Sequence, residues 1–242
     1  MRVAVISDIH GNLHALEAVL RDVGAESVDE LWCLGDVVGY GARPNECCDL
    51  VREHAAVSLC GNHDLAVLGT IDITDFSGDA GTAARWTQGV LEDDRRAWLG
   101  SLQPSGGRDG VGLYHASPRD PVWEYVLSEH VALLALRATR DPLVLVGHSH
   151  VPLALGLEGD VIAGGLAAGG TELDVRGRRF LLNPGSVGQP RDGDPRAAWL
   201  LLDLAAGSAS FRRVVYPVAE TQAEIRAAGL PETLASRLEH GI

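Results

Sequence analysis

The sequence predicts an α/β fold, a four-layer α/β/β/α sandwich of two packed mixed sheets flanked by helices, with a small helical insertion. Three observations predict it. The first third alternates short apolar runs with helical periodicity, which implies parallel strands carrying helices. The last third is a succession of short strands separated by glycine-rich turns. Across the first two thirds, four apolar runs stop at polar clusters: Asp8-Ile9-His10-Gly11-Asn12, Gly35-Asp36, Gly61-Asn62-His63-Asp64 and Gly147-His148-Ser149-His150. Ligand-type side chains at the ends of several strands imply a polar site assembled along one sheet edge.

The elements follow in order. Residues 3–6 form an apolar strand, after which Leu13, Leu16, Leu20 and Val23 recur at helical spacing behind a capping Asn12. A strand at 31–34 leads through Gly35-Asp36 to Pro44-Asn45-Glu46, a helix start that runs to about residue 53. Residues 56–60 form the third strand. From 65 to 102 the pattern is helical, anchored by Trp86, Val90, Trp98 and Leu99, and reads as the insertion. Strand character returns at 111–114, ending in His115; a helix at 128–138 and a strand at 143–146 lead to His148. Segments 151–155, 161–162, 171–175, 180–182, 197–202 and 210–215 predict a second, largely antiparallel sheet. A polar helix over 219–239 follows. With no internal repeat and no low-complexity linker, residues 1–242 read as one domain.

A chain of 242 residues can bury a sizeable core, and 46% hydrophobic with 22% charged residues marks an ordinary soluble globular protein. The net charge of −13 argues against non-specific binding to nucleic acid or to an anionic membrane. No basic segment precedes a long apolar run near the start, and no uncharged stretch approaches the roughly 18 residues of a spanning helix. The four cysteines lack Cys-x-x-Cys spacing; Cys33 and Cys60 read as core residues of strands and Cys47 and Cys48 as neighbours on a helix, so a reducing cytoplasm is expected and a disulfide framework is not. Composition leaves open whether the chain forms a homo-oligomer.

Five of the nine histidines, His10, His63, His115, His148 and His150, lie at strand ends. One such histidine is ordinarily structural. Five beside Asp8, Asp36 and Asn62 form a donor set suited to divalent metals, because imidazole with carboxylate favours zinc, manganese or iron. Gly11, Gly35, Gly61 and Gly147 flank these residues, where a missing Cβ permits sharp turns.

The order Asp-x-His, Gly-Asp, Gly-Asn-His-Asp, a lone His, then Gly-His-x-His resembles the calcineurin-like metallophosphoesterases over about residues 1–188. The resemblance implies two divalent ions, manganese foremost, with iron, zinc, cobalt and nickel also tolerated. Asp8, His10 and His150 would hold one, Asn62, His115 and His148 the other, and Asp36 would bridge them. Two ions about 3.5–4 Å apart clamp a phosphate and activate water between them. The resemblance makes His63 the group that contacts phosphate and protonates the leaving oxygen, with Asp64 orienting its ring. The plainer readings are a supporting histidine and a helix cap. Asn12 is a candidate substrate contact whose capping role alone explains it. Residues 37–41 lack the arginine that serine/threonine phosphatases of this superfamily carry after the aspartate. Residues 183–188 resemble the closing motif of the small bacterial and archaeal phosphodiesterase-like branch. Arg191 beyond it is a candidate phosphate-binding cation, or else a salt-bridge partner within its own turn.

The resulting expectation is a phosphodiesterase, active also on activated monoesters, with a small phosphorylated substrate and no membrane partner. A dinucleoside polyphosphate or nucleotide pyrophosphatase is the second reading, which expects a purine pocket near Tyr40, Trp86 or Trp123. The third is a scaffold that keeps the fold for protein contacts, as a retromer subunit lacking the catalytic histidine does.

Overall fold

The computed structural model describes residues 1–76 and 78–242; Ser77, within the expected insertion, lies outside the described residues. Strands β1 (Arg2–Ile6), β2 (Glu30–Cys33) and β3 (Ala55–Ser58) alternate with helices α1 (Leu13–Ala25) and α2 (Pro44–His54). Asn12 caps α1 by accepting from the Ala15 amide, and Pro44 opens α2. The strands are parallel neighbours in the order β3-β2-β1. Val3 and Val5 enter one apolar cluster while Ala4 and Ile6 enter another, so the period-2 alternation of β1 is covered on both faces.

The strands beyond residue 150 do not form a sheet of their own, which corrects the sequence expectation. β4 (Ser105–Arg108), β5 (Val111–Tyr114) and β6 (Leu143–Leu145) are joined by β7 (Leu153–Glu158), β8 (Val161–Leu166) and β10 (Arg179–Asn183). This second sheet runs β4-β5-β6-β10-β7-β8. β9 (Glu172–Asp174), β11 (Ala197–Asp203) and β12 (Ser208–Val214) instead complete the first sheet, β3-β2-β1-β11-β12-β9. The reason lies in β11. Trp199 and Leu201 face the helices, while Leu200 and Leu202 face the second sheet, so this strand needs two apolar neighbours and pairs antiparallel with β1.

Both sheets are therefore mixed, and they share a core built from Trp32, Leu34, Leu113, Leu145, Leu182 and Phe211. Helices α1 and α2 cover the outer face of the first sheet, and α6 (Glu129–Ala138) covers the second. The insertion comprises α3 (Asn62–Leu68), a 3-10 turn at Ile73–Asp75, α4 (Gly78–Val90) and α5 (Asp93–Gly100). Of its expected anchors, Trp98 and Leu99 join the core on the α1–α2 side, whereas Val90 is exposed. The C-terminal helix is broken in two, α7 (Val218–Ala227) and α8 (Glu232–Ser236), followed by a 3-10 turn at Arg237–Glu239. Gly229, at φ 70°, ends α7 in the left-handed region, and Pro231 prevents continuation. α7 and α8 pack on α4 around Ala83, Ile225, Leu234 and Leu238, with Trp86 at the edge of that cluster. All four cysteines are buried and free. Among the described residues no helix is long and apolar enough to cross a membrane.

Leu145 is fully buried between the sheets. Leu145→Ala should cost about 2–5 kcal/mol of folding stability through lost burial and the cavity left behind. Urea denaturation measures it, and a loss below about 1 kcal/mol would show that the inter-sheet layer is not close-packed.

Candidate metal centre

The polar clusters meet where the two sheets meet, not along the edge of one. Asp8 and His10 follow β1, Asp36 follows β2, and Asn62 opens α3 after β3. From the second sheet, His115 follows β5, and His148 with His150 follows β6. Backbone bonds lace the loops together. Ile9 N and His10 N both donate to Asp36 O at 2.9 Å, and Gly188 N donates to Asp8 O at 3.0 Å. Ser186 Oγ donates to Asp8 O at 2.7 Å, and Asn183 Nδ2 donates to Gly147 O at 2.7 Å, so residues 183–188 pin the β6 loop to the β1 loop.

Seven non-glycine residues among those described adopt positive φ, and five of them are Asp8, His10, Asp36, His148 and His150. Non-glycine backbone in this region costs on the order of 1–3 kcal/mol each and persists only where surrounding structure enforces it. Gly61 shows the same crowding, because a Cβ there would lie 2.0 Å from Asp36 Oδ1 and 2.6 Å from His115 Cε1.

Two buried ligand clusters result, Asp8–His10–Asp36–His150 and Asp36–His115–His148, sharing Asp36. The ring nitrogens can be assigned from their partners, since a carbonyl only accepts. Nδ1 of His10 bonds Val38 O at 3.2 Å, Nδ1 of His150 bonds Gln189 O at 2.7 Å, and Nδ1 of His115 bonds Leu34 O at 3.0 Å. Each Nδ1 therefore carries the proton, and each Nε2 presents a lone pair. Yet Nε2 of His10 and His150 face each other at 3.1 Å, and Nε2 of His115 faces Asn62 Oδ1 at 3.1 Å. His148 Nε2 bonds Trp123 O at 3.3 Å, which leaves its Nδ1 as the lone-pair nitrogen.

Asp36 Oδ1 accepts from His63 N at 2.9 Å, but its Oδ2 is buried with no hydrogen-bond partner. That oxygen lies 3.6 Å from His10 Nε2 and 3.5 Å from His115 Nε2, one in each cluster. Acceptors facing acceptors in a buried site repel unless a cation lies among them. The donor set of imidazoles, carboxylates and an amide oxygen therefore fits two divalent ions, with Asp36 Oδ2 between them.

Burial sets the electrostatics. Desolvation raises Asp8 to about 7 and Asp36 well above the usual carboxylate range. It lowers His10, His115 and His150 well below 6.5, and His148 to about 4. The histidines are thus neutral and ready to ligate.

The site is that of a metal-dependent phosphoesterase. Residues 1–207 match the calcineurin-like phosphoesterase superfamily domain, and the chain belongs to that superfamily. A crystal structure of a metallophosphoesterase from Sphaerobacter thermophilus is 44% identical, covers 100% of this chain and 99% of its own, and superposes with a TM-score of 0.92. An uncharacterized protein of Methanocaldococcus jannaschii, MJ0912, is 38% identical over 98% of this chain and 96% of its own length. Phosphodiesterase YfcE of Escherichia coli is 27% identical over 84% of this chain and 88% of its own.

The remaining candidates divide. His63 is buried, its ring 4.8 Å from that of His10 and 4.4 Å from that of Tyr40, with Nδ1 unpartnered. Burial first, and the Arg191 charge second, depress it to about 3. Asp64 does not orient that ring. Its carboxylate accepts from Gly61 N at 2.9 Å, Val38 N at 3.0 Å and Val37 N at 3.3 Å, clasping the β2 loop to the start of α3. Asn12 is likewise committed to the fold: Oδ1 accepts from Ala15 N and Thr221 Oγ1, and Nδ2 donates to Gly188 O at 2.9 Å. Arg191 has no carboxylate partner among the described residues, because Asp192 pairs with Arg213 instead. It bonds Gln189 Oε1 at 3.0 Å and Tyr40 Oη at 3.4 Å and keeps a buried, unpartnered Nε. Sequence reasoning missed Phe76, 4.8 Å from the His63 ring, and Tyr125, stacked 4.0 Å from the His148 ring. Neither belongs to a motif, and only three-dimensional proximity marks them.

Because Asp8 and Asp36 hold protons more tightly folded than free, an entering cation must displace the Asp8 proton below about pH 7 and that of Asp36 as well. Manganese affinity of the metal-free protein should therefore weaken as pH falls from 8 to 6, with protons released on binding. Calorimetric titrations in buffers of different ionisation enthalpy read both. Affinity independent of pH would contradict this electrostatic picture.

Proposed function

We propose that this protein hydrolyses phosphodiester bonds, and activated phosphomonoesters, in small phosphorylated substrates, using two divalent ions of which manganese is the natural first choice. The observation that carries the reading is the unpartnered Asp36 Oδ2 poised between the two buried clusters, with His63 beside them. Asp8, His10, His150 and Asp36 would hold one ion; Asp36, Asn62, His115 and His148 would hold the other. When bound, the ions supply positive charge that neutralises the phosphate and acidify water at the site. The chain's own groups do the rest. Val38, Gln189 and Leu34 carbonyls fix the tautomers of the ligating rings, which keeps ligand lone pairs aimed inward. Arg191 lies close enough to Asp8, His10 and His63 for its charge to depress their pKa values, a position that suits an anionic oxygen of the substrate.

His63 is neutral in the free protein and presents its ring at the cluster rim. An anionic phosphate beside the ring moves its pKa upward, so His63 would take up a proton from solvent as substrate binds and give it to the leaving oxygen. Manganese-dependent hydrolysis of bis-p-nitrophenyl phosphate tests the reading. His63→Ala should lower kcat by about 10²–10⁴-fold while metal content is retained. Full activity in chelator-stripped protein would sink the proposal.

A second reading, a nucleotide or dinucleoside polyphosphate pyrophosphatase, is favoured by an aromatic wall. Trp123 lies 5.5 Å from Phe76, and Tyr125 stacks on His148, so exposed rings border the centre, whereas Trp86 packs away from it against the C-terminal helices. A stacked base is worth about 1–3 kcal/mol. If nucleotides are the substrates, Trp123→Ala should raise KM for diadenosine tetraphosphate about tenfold and leave that for bis-p-nitrophenyl phosphate within twofold. Equal effects on both would remove the base-stacking role.

A further inference from the structure

Arg191 carries an uncompensated charge in an acidic chain. Among the described residues its side chain bonds neutral acceptors alone, Gln189 Oε1 at 3.0 Å and Tyr40 Oη at 3.4 Å, and its buried Nε has no partner. Its backbone amide donates to His150 O at 3.3 Å, which ties it to a loop bearing two candidate metal ligands. Its Cζ lies 5.9 Å from the centroid of the Tyr40 ring, which in turn lies 4.6 Å from the ring of His10 and 4.4 Å from that of His63. Yet acids are near along the chain, for Asp192 follows directly and Asp194 comes shortly after. Neighbouring arginine and aspartate do pair elsewhere in this protein. Arg95 bonds Asp94 at 2.7 Å, and Arg108 lies 3.7 Å from Asp109, in the same order as Arg191 and Asp192.

Both aspartates of the turn are taken by other arginines. Asp194 pairs with Arg196 at 2.6 Å, and Asp192 pairs with Arg213 of β12. The Arg213 side chain is 3% exposed, so this pair is shielded from water. Arg213 also donates through Nη1 to Arg196 O at 2.9 Å and to Asp194 O at 3.4 Å, and its Nε lies 3.9 Å from Asp194 Oδ2. Its planar fork thus grips carboxylates and carbonyls of residues 192–196 together, which a single ammonium could not do. Gly169 leaves room for the arginine stem, because a Cβ there would lie 2.6 Å from Arg213 Cγ. Arg213 lies beyond residue 207, where the match to the superfamily domain ends.

We propose that Arg213 is a positioning residue: by holding Asp192 it keeps the neighbouring Arg191 guanidinium free for an anionic oxygen of the substrate. The inference rests on the phosphoesterase reading and extends it to a residue outside the metal centre. It makes the two halves of one ion pair unequal. Loss of Arg213 releases a carboxylate beside Arg191, where it competes with substrate for the same charged donors. Loss of the Asp192 charge removes that competitor, while Arg213 keeps Asp194 and both carbonyls. A tie serving the fold alone would be weakened alike from either side.

Calorimetric titration of the manganese-loaded protein with methylphosphonate, a tetrahedral anion without an ester bond, reads binding apart from turnover. Arg191→Gln should weaken binding about tenfold, the loss of one hydrogen bond to a charged group. Arg213→Gln should weaken it about five- to tenfold with manganese content retained, whereas Asp192→Asn should stay within about twofold of the wild type. Adding Asp192→Asn to Arg213→Gln should restore affinity to within about threefold, and Arg213→Gln should change it less than about twofold once Arg191→Gln is present. Arg176→Gln, an equal loss of charge at an exposed Asp174-paired position, should change nothing. Should Arg213→Gln not fold, Arg213→Lys takes its place, keeping the charge but not the fork, with weakening of about threefold expected. No binding by the wild type, equal losses in Arg213→Gln and Asp192→Asn, or a further loss beyond that of Arg191→Gln overturns the role of Arg213. The expected pattern without any diester hydrolysis would instead overturn the proposed function and leave that role standing, while hydrolysis with unaltered affinity in Arg213→Gln would do the reverse.

Discussion

The structure depends on a repulsion among buried acceptors that only bound protons or cations relieve. Four ring nitrogens bearing lone pairs, an amide oxygen and two carboxylates are turned toward one another in a site almost closed to solvent. Leaving such groups unpaired costs about 1–3 kcal/mol each, and more for charged ones. Asp36 Oδ2 concentrates the problem, standing between both clusters without a donor of its own. Surrounding bonds fix the arrangement: carbonyls hold the ring tautomers, and residues 183–188 bind the two halves of the site together.

This constraint explains why the two sheets meet as they do. Four candidate ligands come from loops after parallel strands of one sheet and three from the other, so neither sheet would build a centre by itself. The shared apolar layer of Trp32, Leu145, Leu182 and Phe211 sets the spacing at which the loops face each other. Strain at Asp8, His10, Asp36, His148 and His150 is borne by that packing, in the way backbone strain is commonly stored at functional sites.

Much of the site was legible in the sequence because ligand chemistry is local. An aspartate, a histidine or an asparagine directly after an apolar strand, beside a glycine, announces its place without knowledge of the whole fold. Sheet membership of the later strands was not legible. The alternation in 197–202 states that both faces are buried but not by what, and β11 was free to pair in either sheet until β1 claimed it. Asp64 misled for a related reason: adjacency to His63 in sequence pointed to the ring, whereas the helical turn carries its carboxylate back to the amides of Gly61 and Val38. The break between α7 and α8 was written in Gly229 and Pro231, yet the pairing of Asp192 with Arg213 rather than with Arg191 arises only from chain closure.

If each cluster holds an ion, Asp36 Oδ2 would join the two. Electron paramagnetic resonance of the protein loaded with two equivalents of manganese tests it most directly. A spectrum showing exchange coupling between paired manganese ions is the predicted result, with Asp36→Asn converting it to that of isolated ions. A simple six-line spectrum of uncoupled manganese in the wild-type protein would contradict a bridged centre.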